Sequence, residues 1–219
     1  MKIIGLTGGA GCGKSYVAKV IMKNFPILHI STDDISRRQM QPGGTVYDAV
    51  VREFGNGIVK ADKTIDRAGL AAIVFSDPEK LNILNGITHP AVFDELKRIF
   101  KIVEDGLVLS PIFDRPIPYK AVLVETAILK EAGYCEMCDA IWYVYAPEEQ
   151  RIERMMRDRG YSRERCVETL KSQASDEEYR SYATGVIENP DRTRECDIIR
   201  QVRELIYEMK HREDRGYGH

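Results

Sequence analysis

"GLTGGAGCGKSY", residues Gly5 to Tyr16, lies within and just after a short apolar run, "KIIGLT", that begins at Lys2. Glycine loses more conformational freedom on ordering than any other residue, so Gly8, Gly11 and Gly13 need a reason to cluster here. Downstream, Val17, Val20, Ile21 and Phe25 recur at helical spacing, which predicts an amphipathic helix from about Ser15. Strand, glycine turn and helix form the context in which the pattern Gly8…Gly13-Lys14-Ser15 is a phosphate-binding loop. Backbone N–H groups of such a turn point at the anion, and the helix N-terminus adds partial positive charge. The expected nucleotide-phosphate site is therefore Gly9, Ala10, Gly11, Cys12, Gly13, Lys14, Ser15 and Tyr16. Lys14 suits the β- and γ-phosphates, and the Ser15 hydroxyl suits a phosphate-bound magnesium ion. Cys12 is read as a small filler of the loop.

Bulk properties narrow the class. A chain of 219 residues can bury a substantial core in one main domain with a smaller one inserted. The net charge of −2 gives no broad basic surface, so no nucleic-acid partner is expected. No apolar stretch reaches the length of a membrane span, and the first strand leaves no room for a signal peptide. Five cysteines, an odd count, argue against a disulfide framework, and the "CEMC" pair Cys135/Cys138 lacks the second pair a zinc site wants. A cytoplasmic enzyme with no membrane contact and no obligate protein partner is the expectation.

Further short apolar runs read as strands: "ILHI" ending at Ile30, "AVLV" from Ala121, "AIWYVY" from Ala140 and "GVIE" from Gly185. Separated by longer helical stretches, they predict an α/β fold with a parallel sheet wrapped by helices. Ligands of such sheets bind beyond the carboxyl ends of the strands, which singles out the glycine loop, "STDD", Glu125 and the helix after Pro147. Asp33 and Asp34 can serve as first-turn acids behind an N-cap at Ser31 or Thr32, and a carboxylate there can also accept a proton from an attacking hydroxyl. Glu125 reads as an acid beside the metal, with a partner for Lys14 or an N-cap as the alternatives. Arg151, Arg154 and Arg157 recur every third residue, with Arg159 just beyond and Gly160 ending the helix. A solvated ion-paired face, with Glu153 pairing Arg157, is one reading. A movable arginine-bearing lid over about 148–175 is the other, since phosphoryl transfer needs charge neutralised and water excluded. On the lid reading Arg159 serves the transferring phosphate more than Arg154, which lies within reach of acidic neighbours.

The middle segment shows helical spacing without a clear strand. "TIDRAGLAAIVF" is expected to start at an N-cap Thr64, and "THPAVFDELKRIF" to start a new helix with Pro90 in its first turn. "EDGLVLSPIFDRPIPYK" reads as an irregular loop, and the tail "HREDRGYGH" as frayed.

The sequence resembles the dephospho-coenzyme A kinase family along nearly its whole length. The resemblance rests on "IGLTGGAGCGKS", "DDISRRQMQPGG", "FGNGIV…TIDRAGLAAIVF", "ITHPAV" and "SQASDEEYRSYATGVIEN". It implies a three-layer P-loop kinase fold with a five-stranded parallel sheet and helices on both faces. In that arrangement 1–36 and 101–219 form the nucleotide-binding core, and 37–100 form a helical acceptor domain. It implies transfer of the ATP γ-phosphate to the ribose 3′-hydroxyl of dephospho-CoA, with magnesium. By position, Asp33 takes the catalytic-base role and Lys14 is also catalytic, while the Asp158-Arg159 order leaves Arg159 or Arg157 as the functional lid arginine. Gly11 to Tyr16 take the ATP-phosphate role, and Arg67, His89 and Pro90 fall on the acceptor side with Asp33, while Ser15 and Glu125 stand as the metal residues read from the loop and strand above. The chain departs from the family pattern where Ser31 replaces an aspartate, where "AILKE" ends at Glu131, at the Asp158-Arg159 order, and at Thr184. Other expectations from the residues alone are a nucleoside monophosphate kinase, a GTP switch carrying "DRAG", or a degenerate nucleotide-binding regulator. The switch lacks a guanine-reading N-K-x-D.

Overall fold

The apolar runs become strands at almost the residues where alternation and turn signals break. The computed structural model describes residues 1–105, 108–109, 116–117 and 119–216, with the backbone alone at 108–109, 116–117 and 212–216. The chain divides into two compact units, 1–30 with 106–219, and 31–105.

In the first unit β1 (Lys2–Thr7) leads through the glycine loop into α1 (Lys14–Asn24), which returns to β2 (Ile27–Ser31). The central sheet has five strands in the order β2-β5-β1-β6-β7, where β5 is Ala121–Glu125, β6 Ala140–Tyr145 and β7 Gly185–Glu188. β1 pairs in parallel with β5 (Ile4↔Leu123) and with β6 (Leu6↔Trp142), and β6 pairs in parallel with β7. A parallel sheet is covered on both faces, so its strands read as unbroken apolar runs. All five β5 residues are buried, and Trp142 in β6 is 1% exposed. Val17, Ala18, Val20 and Ile21 of α1 close over the sheet together with Ile198, Val202 and Leu205 of α9 (Glu195–Gly216). β1 lies at the centre of the sheet between β5 and β6, and the glycine loop leaves its carboxyl end, where ligands of parallel sheets bind.

After β6 come α6 (Glu148–Arg159), α7 (Arg163–Lys171) and α8 (Asp176–Tyr182). Gly160 ends α6 in the left-handed conformation (φ 64°), as its place in the sequence implies, and Ser162 caps α7. Ile152 and Met155 of α6 and Cys166 of α7 form a small core whose fourth buried member is Ala10 of the glycine loop.

The second unit is helical: α2 (Thr32–Gln39), α3 (Tyr47–Phe54), α4 (Arg67–Phe75) and α5 (Pro78–Asp105). Its core gathers Met40, Val46, Val50, Ile58, Ile65, Leu70 and Val74. Gln39 Nε2 donates to Ala91 O at 2.9 Å, tying α2 to α5. The boundaries therefore fall at 30/31 and 105/106, because α2 packs with this unit and α5 runs unbroken to Asp105.

Two helix starts differ from the expectation. Asp66, not Thr64, caps α4 by accepting the Ala68 N–H at 3.2 Å; Thr64 is spent in a turn, donating its N–H and hydroxyl to Asp62. Pro90 does not open a helix but lies inside the 28-residue α5. The carbonyl a proline ring crowds is that of residue i−4, here Gly86, where no side chain restricts the adjustment. The 104–120 stretch, expected as irregular, lies partly outside the described residues. Its described part is the end of α5 and a two-residue antiparallel ribbon, β3 (Val108–Leu109) with β4 (Pro116–Ile117). The tail from His211, expected as frayed, continues α9 to Gly216, and 217–219 lie outside the described residues.

Candidate active site

The glycine loop is built as its pattern demands. Gly11 and Gly13 take φ values of 77° and 89°, which side chains with a Cβ rarely adopt. A Cβ on Gly11 would also meet the Arg151 carbonyl at 2.5 Å. Lys14, the first residue of α1, folds back to donate to Gly8 O at 2.6 Å and Gly9 O at 3.3 Å. Its ammonium therefore sits within the loop.

At the next residue, Ser15 Oγ donates to Glu125 Oε1 at 2.6 Å, joining the start of α1 to the carboxyl end of β5. The other carboxylate oxygen, Oε2, meets His29 Nε2 at 2.8 Å. Burial pushes the Glu125 carboxyl up, but hydrogen bonds from His29 and Ser15 and the nearby charges of His29 and Lys14 outweigh it. The group is held below the usual carboxylate range. An ionised carboxylate beside a hydroxyl is a hard oxygen donor set, and Mg²⁺ needs only one or two such protein groups because it keeps waters and binds phosphate. The residues fit that ion. Ser15 and Glu125 are thus brought together, while the described hydrogen bonds of Lys14 go to Gly8 O, Gly9 O and Cys12 Sγ, and its charge reaches Glu125 through space.

Side chains from far along the chain hold the rest of the loop. Arg154 donates to Gly11 O (3.3 Å), Cys12 O (3.5 Å), Asn189 O (3.0 Å) and Asp191 Oδ1 (2.7 Å). Asn189 Nδ2 donates to Cys12 O at 2.8 Å, and Gln173 Oε1 accepts the Ala10 N–H at 2.8 Å. Arg151, 6% exposed, bonds Ala10 O and Asp176. Of the regularly spaced arginines, Arg157 pairs with Asp158 at 2.7 Å and not with Glu153. Arg159 is exposed and its described contact is the Tyr161 ring, 6.0 Å away.

The remaining expected residues belong to the 31–105 unit. Ser31 caps α2, accepting the Asp34 N–H at 3.2 Å, so the capping reading of "STDD" holds. Asp34 also takes Arg37 at 3.3 Å, while among the described residues the Asp33 carboxylate has no hydrogen bond or ion pair. Arg67 is exposed at the first position of α4, and His89 and Pro90 lie in the middle of α5.

Sequence reasoning missed His29, Gln173, Asn189 and the loop contact of Arg151. His29 is the one polar residue of "ILHI", and Asn189 follows a strand's carboxyl end, so both carried a signal. Gln173 carried none from its local pattern, although it lies in the stretch "SQASDEEYRSYATGVIEN" on which the family resemblance rests.

A family model described as dephospho-CoA kinase matches residues 2–195. A dephospho-CoA kinase of Carboxydothermus hydrogenoformans is 37% identical over 191 residues, covering 86% of each chain. Among solved structures, a dephospho-CoA kinase from Campylobacter jejuni superposes with a TM-score of 0.63 at 25% identity, covering 95% of this chain and 98% of its own. A shikimate kinase from Acinetobacter baumannii shares the fold at a TM-score of 0.52 and 17% identity, covering 95% of this chain and 94% of its own.

Proposed function

The chain belongs to the dephospho-CoA kinase family, and on that premise we propose that it moves the γ-phosphoryl group of ATP to the ribose 3′-hydroxyl of dephospho-CoA. The observation that carries the reading is the formed phosphate loop with its lysine inside and the Ser15–Glu125 pair beside it.

Lys14 exchanges its two carbonyl contacts for oxygens of the β- and γ-phosphates, where its charge follows the charge that shifts during transfer. Ser15 and Glu125 would hold a magnesium ion, which when bound draws negative charge from the phosphate oxygens. Asp33 accepts the proton of the attacking hydroxyl. Its carboxylate is uncommitted among the described residues, whereas that of Asp34 is engaged by Arg37. Asp33 follows the carboxyl end of β2 by two residues, the end of a parallel strand at which ligands bind. Arg159, at the end of α6 before the glycine cap, neutralises the moving phosphoryl group; Arg157 is occupied by Asp158. Arg67, His89 and Pro90 belong to the acceptor side, with the 31–105 unit as the acceptor-binding domain and 148–175 as the lid.

The test is direct. Purified protein with ATP and Mg²⁺ should convert dephospho-CoA to CoA with stoichiometric ADP. Turnover of nucleoside monophosphates with none of dephospho-CoA would overturn the assignment.

A further inference from the structure

A buried arginine is expensive. Its guanidinium does not deprotonate in proteins, so the charge must be met by hydrogen bonds or a counter-ion. Arg151 occupies a helix face shared with Ile152 and Met155, where an apolar side chain would fill the space at less cost. What it touches accounts for its presence. Nε donates to Ala10 O at 3.0 Å, and Nη1 donates to Asp176 Oδ1 at 3.2 Å. The same Asp176 oxygen accepts the Tyr143 hydroxyl at 2.5 Å, so one carboxylate ties β6, α6 and α8 together. A Cβ on Gly9 would collide with Nη2.

The consequence runs through the peptide plane. In a trans peptide the carbonyl oxygen and the following N–H point in opposite directions. Holding the Ala10 carbonyl toward Arg151 therefore aims the Gly11 N–H the other way. Among the described residues that N–H has no acceptor, and neither has that of Gly13. The carbonyls of Gly11 and Cys12 are drawn by Arg154, and that of Cys12 also by Asn189. Free donors on one side, with anchored carbonyls on the other, are what a phosphate site requires. Glycine at positions 9 and 11 leaves the Ala10–Gly11 peptide free to rotate unless something outside the loop fixes it.

We propose that Arg151, held by Asp176, is a positioning residue that sets the orientation of the Ala10–Gly11 peptide and so prepares the Gly11 N–H for the nucleotide's phosphates. The proposal rests on the loop binding ATP, as above. It is tested by nucleotide binding alone, so its failure is separate from a failure to phosphorylate dephospho-CoA.

Arg151→Met keeps most of the volume and removes both hydrogen bonds. Calorimetric titration with ADP should give a Kd raised about tenfold, equivalent to about 1.4 kcal/mol. Under turnover the KM for MgATP should rise in step, while the KM for dephospho-CoA stays within about twofold of wild type. Thermal stability should be equal or higher, because an apolar residue replaces a buried charge. A role confined to packing would move the melting temperature and leave both constants alone. Wild-type ADP affinity in a folded Arg151→Met protein overturns the proposal. If that variant does not fold, Asp176→Asn retains the arginine and its Ala10 contact but loosens its anchor. It should weaken ADP binding about threefold, and unchanged affinity there overturns the proposal equally.

Discussion

Replacing Glu125 with glutamine separates a metal-side acid from a strut between strands. The two side chains have nearly the same shape, so packing at the end of β5 survives while the charge is lost. Two short hydrogen bonds are affected, 2.6 Å from Ser15 and 2.8 Å to His29, both in the range of charge-assisted pairs. The amide must turn its NH₂ toward one partner, and either the Ser15 hydroxyl or the His29 ring then has to accept. Charge-assisted bonds contribute about 1.5–3 kcal/mol each and neutral ones about half that, so over the two bonds a loss of about 1.5–3 kcal/mol follows. For a protein of this size that lowers Tm by about 3–12 °C. The deficit depends on pH. The folded-state pKa of Glu125 lies below its unfolded value, so the ionised carboxylate stabilises the fold fully above about pH 4.3 and loses that contribution as pH falls through the folded value. The gap between wild type and variant should close in acid. The functional assay is turnover against Mg²⁺ at fixed ATP. The half-saturating Mg²⁺ concentration should rise about 10–100-fold, with turnover partly recovered at saturation. A variant with lowered Tm and an unchanged Mg²⁺ curve would refute the reasoning and leave Glu125 as a strut.

Lys14→Ala should fold normally and lose about 10²-fold or more in turnover, measured by coupled ADP release, because one donor to the transferring phosphates is gone. Asp33→Asn should cost about 10²–10⁴ in kcat with KM for ATP little changed, and Asp34→Asn far less; the reverse order in the same assay would move the base by one residue. Arg159→Ala at saturating substrates should lose about 10²-fold, and Arg157→Ala much less, since Arg157 is already paired with Asp158. Equal losses would place the neutralising charge elsewhere on α6.

Local rules sufficed where a residue's neighbours in sequence are also its neighbours in space. The glycine loop is one such place: strand, turn and helix are contiguous, and φ constraints at Gly11 and Gly13 are written into residue type. The sheet strands are another, because burial on both faces makes each an apolar run from one turn to the next. Helix ends were less legible. Thr64 and Asp66 are both good caps, and the competing Asp62–Thr64 turn decided between them. Pro90 marks a helix start in most contexts, but α5 tolerates it where Gly86 can give way.

The site's long-range partners follow a different logic. Arg151, Arg154 and Arg157 are equivalent by spacing, yet one is buried against Ala10, one spans the loop and Asp191, and one pairs at the surface. Successive positions three apart drift around the helix, since 3.6 residues make a turn, so equal spacing gives unequal environments. Which member faces inward depends on where α6 meets the loop, and that is fixed by Ile152 and Met155 packing on Ala10. A pattern of charges can therefore announce an arginine-rich helix without saying which arginine works. The distinction appears only when burial is known: a guanidinium that gives up water needs specific acceptors, and here those are loop carbonyls together with the carboxylates of Asp176 and Asp191. The loop's glycines make it able to bend around a phosphate, and residues about 140 positions later decide how it is bent.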